Sequence, residues 1–124
     1  MVAMNPARLC LISLILFGAA ACAPREADYG ALEWKDDVYL LNGKPFTGIA
    51  RAEYDDGTPK GEYPFKQGRF HGVVQEWWEN GQQSTETHFE NGQRHGSNRY
   101  WSPEGKLTKE QVYDHDHSVS EKHF

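Results

Sequence analysis

The chain has 124 residues, with 13 Lys and Arg against 18 Asp and Glu, a net charge of −5 and a mean hydropathy of −0.78. That length admits one domain at most, and the acidic balance excludes a nucleic-acid binder, whose phosphates demand a basic stripe. Two cysteines exclude a disulfide framework, and 13% aromatics with few long aliphatics point to a small sheet rather than a helical globule.

Met1–Arg8 carries one basic side chain, Leu9–Phe17 is apolar but for Ser13, and Gly18–Ala21 are all small. These are the parts of a secretory signal peptide, and the apolar run falls short of the ~20 residues that a membrane-crossing helix needs. Ala19-Ala20-Ala21-Cys22 resembles the lipobox of bacterial lipoproteins, with Ala19 where that family usually has Leu. The resemblance implies removal of residues 1–21, a diacylated Cys22 sulfur and an acylated new amino terminus. Ala23 in place of Asp implies sorting to the outer membrane, facing the periplasm, as in Gram-negative lipoproteins. With Cys10 discarded, Cys22 has no partner in the chain, so it is either acylated or a free thiol on a plainly secreted protein. Acyl chains at two atoms of Cys22 would supply the multiple anchors that stable membrane attachment requires. Loss of Arg8 leaves the mature chain one unit more acidic.

Residues 22–37 contain Pro24 and mixed charge without a period, which reads as a tether, with Trp34 free to dock on the first hairpin. A first strand is expected at Val38–Leu41. From there a 24-residue step links Gly48, Gly72 and Gly96, and again Gly57, Gly81 and Gly105. The same step links Phe65, Phe89 and Tyr113, and the acids Glu62, Glu86 and Glu110. Such self-similarity marks an array of supersecondary units, each too small to bury its own apolar face. Asp56-Gly57 and Asn80-Gly81 predict two-residue hairpin turns, and Pro103-Glu104-Gly105 a weaker turn of that class. Alternation places Val74, Glu76 and Trp78 on one face and Val73, Gln75 and Trp77 on the other. The expected fold is all-β: consecutive antiparallel hairpins over residues 38–114, in units of about 43–67, 68–91 and 92–114, forming an elongated, twisted single-layer sheet. The six glycines are assigned to structural turns, and residues 115–124 to a loose tail.

The unit openings Gly43-Lys44-Pro45-Phe46-Thr47-Gly48, Gly68-Arg69-Phe70-His71-Gly72 and Gly92-Gln93-Arg94-His95-Gly96, followed by Trp77-Trp78-Glu79-Asn80-Gly81 in the second, resemble the MORN repeat in its variant bacterial form, the YwqK-like antitoxin group. The resemblance covers about Asn42 to Asp114. It implies consecutive antiparallel hairpins in a curved sheet, contact with a protein or a membrane, and no catalysis. Two departures stand out: Ser102-Pro103 replaces Trp78-Glu79 in the third unit, and Asp114–Val119 lacks the opening Gly, so the array is expected to end there.

The chemistry-bearing residues read as surface features. Glu62, Glu86 and Glu110 repeat with the fold, which a catalytic acid has no need to do, and no nucleophile sits in a recognisable motif. They read as a solvated row facing Lys and Arg on neighbouring strands. His115 and His117 alternate with Asp114 and Asp116, but a solvated acidic tail explains them, so no metal and no cofactor is assigned; His71 and His95 read as turn residues. Trp77, Trp78, Tyr100 and Trp101 are the candidate contact residues for a protein partner, set against cross-strand packing within the sheet. The resulting expectation is a non-enzymatic, lipid-anchored envelope protein with a protein-interaction array. The alternatives are a toxin-neutralising or immunity-type protein and a carbohydrate-contacting or enzyme-accessory module. An exposed terminal strand would also allow two arrays to pair edge to edge.

The anchor has a direct check. The mature protein should partition into detergent, and Cys22→Ser should release it or leave an uncleaved precursor in the inner membrane. Identical fractionation of the two forms, or an alkylatable Cys22 thiol in the mature chain, excludes acylation.

Overall fold

The computed structural model describes residues 23–124, so the expected signal segment and the lipidation expected at Cys22 lie outside the described residues. Within it the chain is all-β. The strands are β1 (Glu26–Asp28), β2 (Glu33–Lys35), β3 (Val38–Leu41), β4 (Lys44–Pro45), β5 (Gly48–Glu53), β6 (Pro59–Lys66), β7 (Arg69–Phe70), β8 (Gly72–Trp77), β9 (Gln83–Glu90), β10 (Gln93–Trp101), β11 (Leu107–Asp114) and β12 (His117–His123), with one 3-10 turn at Tyr29–Ala31. The main sheet is open and runs β1-β5-β6-β8-β9-β10-β11-β12, with β7 beside β6; β2, β3 and β4 form a second, small sheet. All pairings are antiparallel except β1 with β5.

Two kinds of turn alternate along the array, and their assignment differs from the expected one. After β5, the Tyr54 amide donates to the Thr58 carbonyl at 2.9 Å and the Gly57 amide to the Tyr54 carbonyl at 2.8 Å. The same two bonds recur at Trp78, Gly81 and Gln82, and at Ser102, Gly105 and Lys106. This is a three-residue loop, a type I turn closed by a left-handed residue in a bulge, and the ladder slips at Ala52/Glu53, Glu76/Trp77 and Tyr100/Trp101 to accommodate it. The two-residue turns lie instead between units, at Asn42-Gly43, Gln67-Gly68 and Asn91-Gly92, where both residues have positive φ. Gly48, Gly72 and Gly96 are therefore not turn residues: they open β5 and β8 and lie inside β10. Gly48 is required by close approach, because a Cβ there would sit 2.1 Å from the Arg25 carbonyl oxygen where β1 runs alongside.

Three further expectations are corrected. Residues 22–37 do not form a featureless tether: β1 adds to the main sheet, and β2 pairs with β3 through the non-Gly turn Asp36-Asp37. Val38–Leu41 is a strand, but it belongs to the small sheet. The array does not stop at Asp114. His115-Asp116 takes the two-residue positive-φ turn without glycine, and β12 pairs along β11 as far as His123. Asp116 makes this feasible, since its Oδ1 accepts from the Arg94 amide at 3.0 Å and from Arg94 Nε at 2.9 Å. Those hydrogen bonds from Arg94 hold the Asp116 carboxyl below its ordinary range, so the turn gains stability above the unfolded-state value and loses it as pH falls through the lowered one.

The core is a stripe of paired rings that follows the repeat. Phe46 packs on Phe65 with ring centroids 5.8 Å apart, Phe70 on Phe89 at 5.1 Å, and, at the third equivalent pair, the Arg94 guanidinium lies 4.2 Å from the Tyr113 ring. Phe65 and Phe70 join the first two pairs at 4.7 Å. Beside the stripe, Ala50, Val74 and Asn98 occupy equivalent buried positions on β5, β8 and β10. The small sheet closes the N-terminal end, with Tyr39 edge-on to Phe65 at 5.0 Å and joined through its hydroxyl to that of Tyr29 at 3.1 Å. Each such ring pair contributes about 0.5–1.5 kcal/mol beyond its buried area, which matters in so thin a core.

Two substitutions test this architecture. A Cβ at Gly81 would meet nothing within 4 Å, yet its φ is +85°, so any cost there is conformational. Gly81→Val should destabilise by about 1 kcal/mol or more and Gly81→Asn by clearly less, because Asn tolerates that region and β-branched residues resist it. Asn98 is 1% exposed and both amide atoms lack a protein partner, at the position where the preceding unit has Val74. Asn98→Val should therefore raise stability, by roughly 1–3 kcal/mol in urea unfolding.

Candidate functional site

One face of the sheet carries a ladder that crosses seven strands. Register places Arg51 opposite Glu62, Glu62 opposite Gln75, Gln75 opposite Glu86, Glu86 opposite Arg99, Arg99 opposite Glu110, and Glu110 opposite Lys122. Arg51 pairs with Glu62 and, at 3.1 Å, with Glu26 on β1; Arg99 Nε meets Glu110 Oε2 at 2.7 Å, and Arg99 Nη1 lies 3.9 Å from Glu86 Oε1. Glu62, Glu86 and Glu110 thus face basic residues on neighbouring strands. These groups are partly solvent-accessible, so each pair adds only tenths of a kcal/mol, and the row's main property is a display of both charge signs, interrupted by the neutral Gln75.

The four candidate aromatics do not form one row. Trp77 follows Gln75 on the ladder face, and with Arg51, Glu53, Pro59 and Glu62 it borders a cleft of about 380 Å³. Trp101 is its repeat equivalent, half-buried at the end of β10 and opposite Leu107. Trp78 is outside the strand, in the loop after β8, so it does not share a face with Val74 and Glu76. It is 39% exposed, and its Nε1 donates to the Trp101 carbonyl at 3.1 Å. Tyr54 does the same one unit earlier, its hydroxyl donating to the Trp77 carbonyl at 2.6 Å, and Asn80 Nδ2 donates to the Pro103 carbonyl at 2.7 Å. Trp78, Asn80, Tyr54 and Pro103 together border a second, shallower depression. Tyr100 points the other way, beside Asn98 and Thr85 in alternation, with Lys109 Nζ 4.3 Å from its ring centre. The aromatics that build the core are different ones, the Phe46 to Tyr113 stripe.

On the face opposite the ladder, Glu76 is a half-buried carboxylate that accepts from the Tyr63 hydroxyl at 2.9 Å and from Thr85 Oγ1 at 2.8 Å. Tyr63 stacks on Tyr29 with centroids 4.3 Å apart. Burial pushes both phenols up, with the Glu76 charge adding to it at Tyr63 and, more weakly, at Tyr29. Both phenols therefore stay protonated, and the Tyr63 hydroxyl donates to Glu76. Glu76 was not legible as a candidate, because the equivalent positions are Ala52 and Tyr100 and no period flags it.

The histidines also rearrange. Neither His71 nor His95 sits in a turn as expected: His71 lies between β7 and β8, its Nδ1 accepting from the Asn91 amide at 3.2 Å, and His95 lies within β10. The Asp114-to-His117 run does not act as a unit: Asp116 turns to Arg94 and His117 begins β12, whereas His115 Nδ1 lies 2.6 Å from Asp114 Oδ1. His95 joins those last two from β10, its ring 4.5 Å from that of His115. Comparing positions 71 and 91 with 95 and 115 across the 24-residue step was the signal that could have exposed this grouping. No protein-family model matches the chain, and no curated protein matches it either.

Proposed function

We propose that this protein is a lipid-anchored, envelope-facing interaction module without catalytic activity, built from MORN-like variant repeats, and that it binds another protein through the ladder face and the adjoining loops. The observation that carries this reading is the juxtaposition of the Arg51-to-Lys122 charge ladder with Trp77, Trp101 and the exposed Trp78 at its margin. Tryptophan and arginine are the side chains that most often dominate binding energy, and a sheet presents them already ordered, so little entropy is lost on association. The mixed signs of the row, positive and negative at set positions about the neutral Gln75, favour a partner with a complementary charge pattern and fix its register along the array. A toxin neutralised outside the cytoplasm is one partner of that description. The cleft beside Trp77 supports a second reading: an indole flanked by Arg51, Glu53 and Glu62 offers a stacking surface and hydrogen-bonding groups of the kind that a carbohydrate uses.

The test is a set of single variants of the full chain, assayed by crosslinking and co-purification from envelope fractions, with circular dichroism as the check on folding. Trp77→Ala and Trp78→Ala, and the charge reversal Arg99→Glu, should each weaken partner capture about tenfold or more while the sheet signal is retained, and Tyr100→Ala on the other face should leave it unchanged. Capture that survives all three, or that is lost only where the sheet unfolds, removes the ladder face as the binding surface. Recovery of glycan rather than protein selects the second reading.

A further inference from the structure

We propose that Glu90, His95 and His115, with Asp114 behind them, form a binding site for a divalent transition-metal ion of the zinc type at the junction between the last two units. One ligand atom from each of Glu90, His95 and His115 falls within 4.8 Å of the others. Asp114 organises the pair of rings: its Oδ1 lies 2.6 Å from His115 Nδ1 and 3.4 Å from His95 Nδ1. The carboxylate accepts from the His115 Nδ1–H, which leaves that ring's Nε2 lone pair free, and its approach to His95 Nδ1 is an electrostatic contact without a hydrogen bond. A carboxylate behind a histidine is the usual arrangement around metal-bound imidazoles. On the other side of His95, Nε2 is 3.6 Å from Glu90 Oε2. Two ligands bound tetrahedrally to zinc at ~2.0–2.1 Å are separated by roughly 3.4 Å, so this edge of the site is already near its bound spacing. His115 closes the remaining gap by rotating an exposed side chain, and water or a partner's side chain completes the fourth position.

The repeat itself supplies an internal comparison. One unit earlier the equivalent positions hold Lys66, His71, Glu90 and Asn91. There the histidine is satisfied by the Asn91 backbone amide, and the place of Glu90 is taken by a cation. At the later junction Lys66 has become Glu90 and Asn91 has become His115, so a hydrogen-bonded turn of the same shape carries a full donor set. Two imidazoles and a carboxylate suit zinc, and bind copper(II) more tightly where it is present. An ion held there ties the β11–β12 turn to the β9–β10 turn, the end of the array where Phe pairs have given way to Arg94 and Tyr113.

The test uses the mature protein purified in detergent, with any free thiol blocked beforehand, titrated with zinc chloride by calorimetry and with cobalt(II) by absorption. One ion per chain is expected. His95→Ala and His115→Ala should each weaken binding at least tenfold, Asp114→Asn about 10–100-fold through loss of the supporting carboxylate, and His117→Ala not at all. A measurement without variants accompanies these: on zinc addition, imidazole nitrogen resonances of two histidines, and only two, should shift at Nε2. Binding that survives both His95→Ala and His115→Ala, that falls equally with His117→Ala, or that leaves the imidazole spectrum unchanged overturns the site, as does the absence of saturable binding at one ion per chain.

Discussion

The stacking of one ring pair on the next is the contact on which the rest of this molecule depends. Phe46 with Phe65, Phe70 with Phe89, and Arg94 with Tyr113 stand at equivalent positions, and Phe65 against Phe70 carries the stripe across a unit boundary. No single hairpin could bury such a stripe alone, since an isolated two-stranded ribbon is marginal in water. The units are therefore stable only as neighbours. The stripe is best buried where the small sheet covers it, with Phe46 at 1% and Phe65 at 4% exposure, and it becomes polar toward β12. One end is consequently a core and the other a surface.

Turn geometry follows from the same requirement. Rings can stack only if each unit enters in the same register, and the inter-unit turns enforce it through recurring backbone bonds. The Gly68 amide donates to the Phe46 carbonyl at 2.7 Å, Gly92 to Phe70 at 2.8 Å, and Asp116 to Arg94 at 2.9 Å. Each turn thus grips the stripe residue of the preceding unit. At the last turn the glycine is gone, and the Asp116 carboxylate on Arg94 compensates for the strain of a non-Gly left-handed residue. The loops at the opposite ends of the hairpins are linked more loosely, by Tyr54, Trp78 and Asn80 reaching the next loop's carbonyls.

The period, the all-β class and the facing of Glu62, Glu86 and Glu110 by basic residues were legible, because glycines and charges keep their spacing whatever the turns do. Which glycines make which turn was not. Asn-Gly occurs at both ends of the hairpins, so the dipeptide signal for a two-residue turn points equally to Asn80-Gly81, which closes a three-residue bulged loop, and to Asn91-Gly92, which is the two-residue turn. The N-terminal strands were hidden because β1 pairs in parallel from an aperiodic stretch and Asp36-Asp37 turns without glycine. The aromatic candidates were chosen for their crowding in sequence, and alternation plus a bulge sends Trp77, Trp78 and Tyr100 to three different places. The histidine grouping was overlooked for the complementary reason: its members are close only through the 24-residue step, whereas the adjacent His115 and His117 are separated by the turn.

These arrangements divide the molecule into a part that cannot vary and parts that can. Replacing a ring in the stripe removes contacts on both sides, and large-to-small changes of a buried Phe cost about 3–5 kcal/mol, a large fraction of what so small a domain can possess. A change in the ladder alters a pair worth tenths of that amount, and a change in the loops or at the last junction leaves the stripe intact. Charge pattern, exposed tryptophan and the His95–His115 pair all lie on this second, tolerant surface. An array of this kind can therefore acquire a recognition face or an ion site by single substitutions at repeat-equivalent positions, as the exchange of Lys66 and Asn91 for Glu90 and His115 illustrates, without disturbing the contact that holds the sheet together.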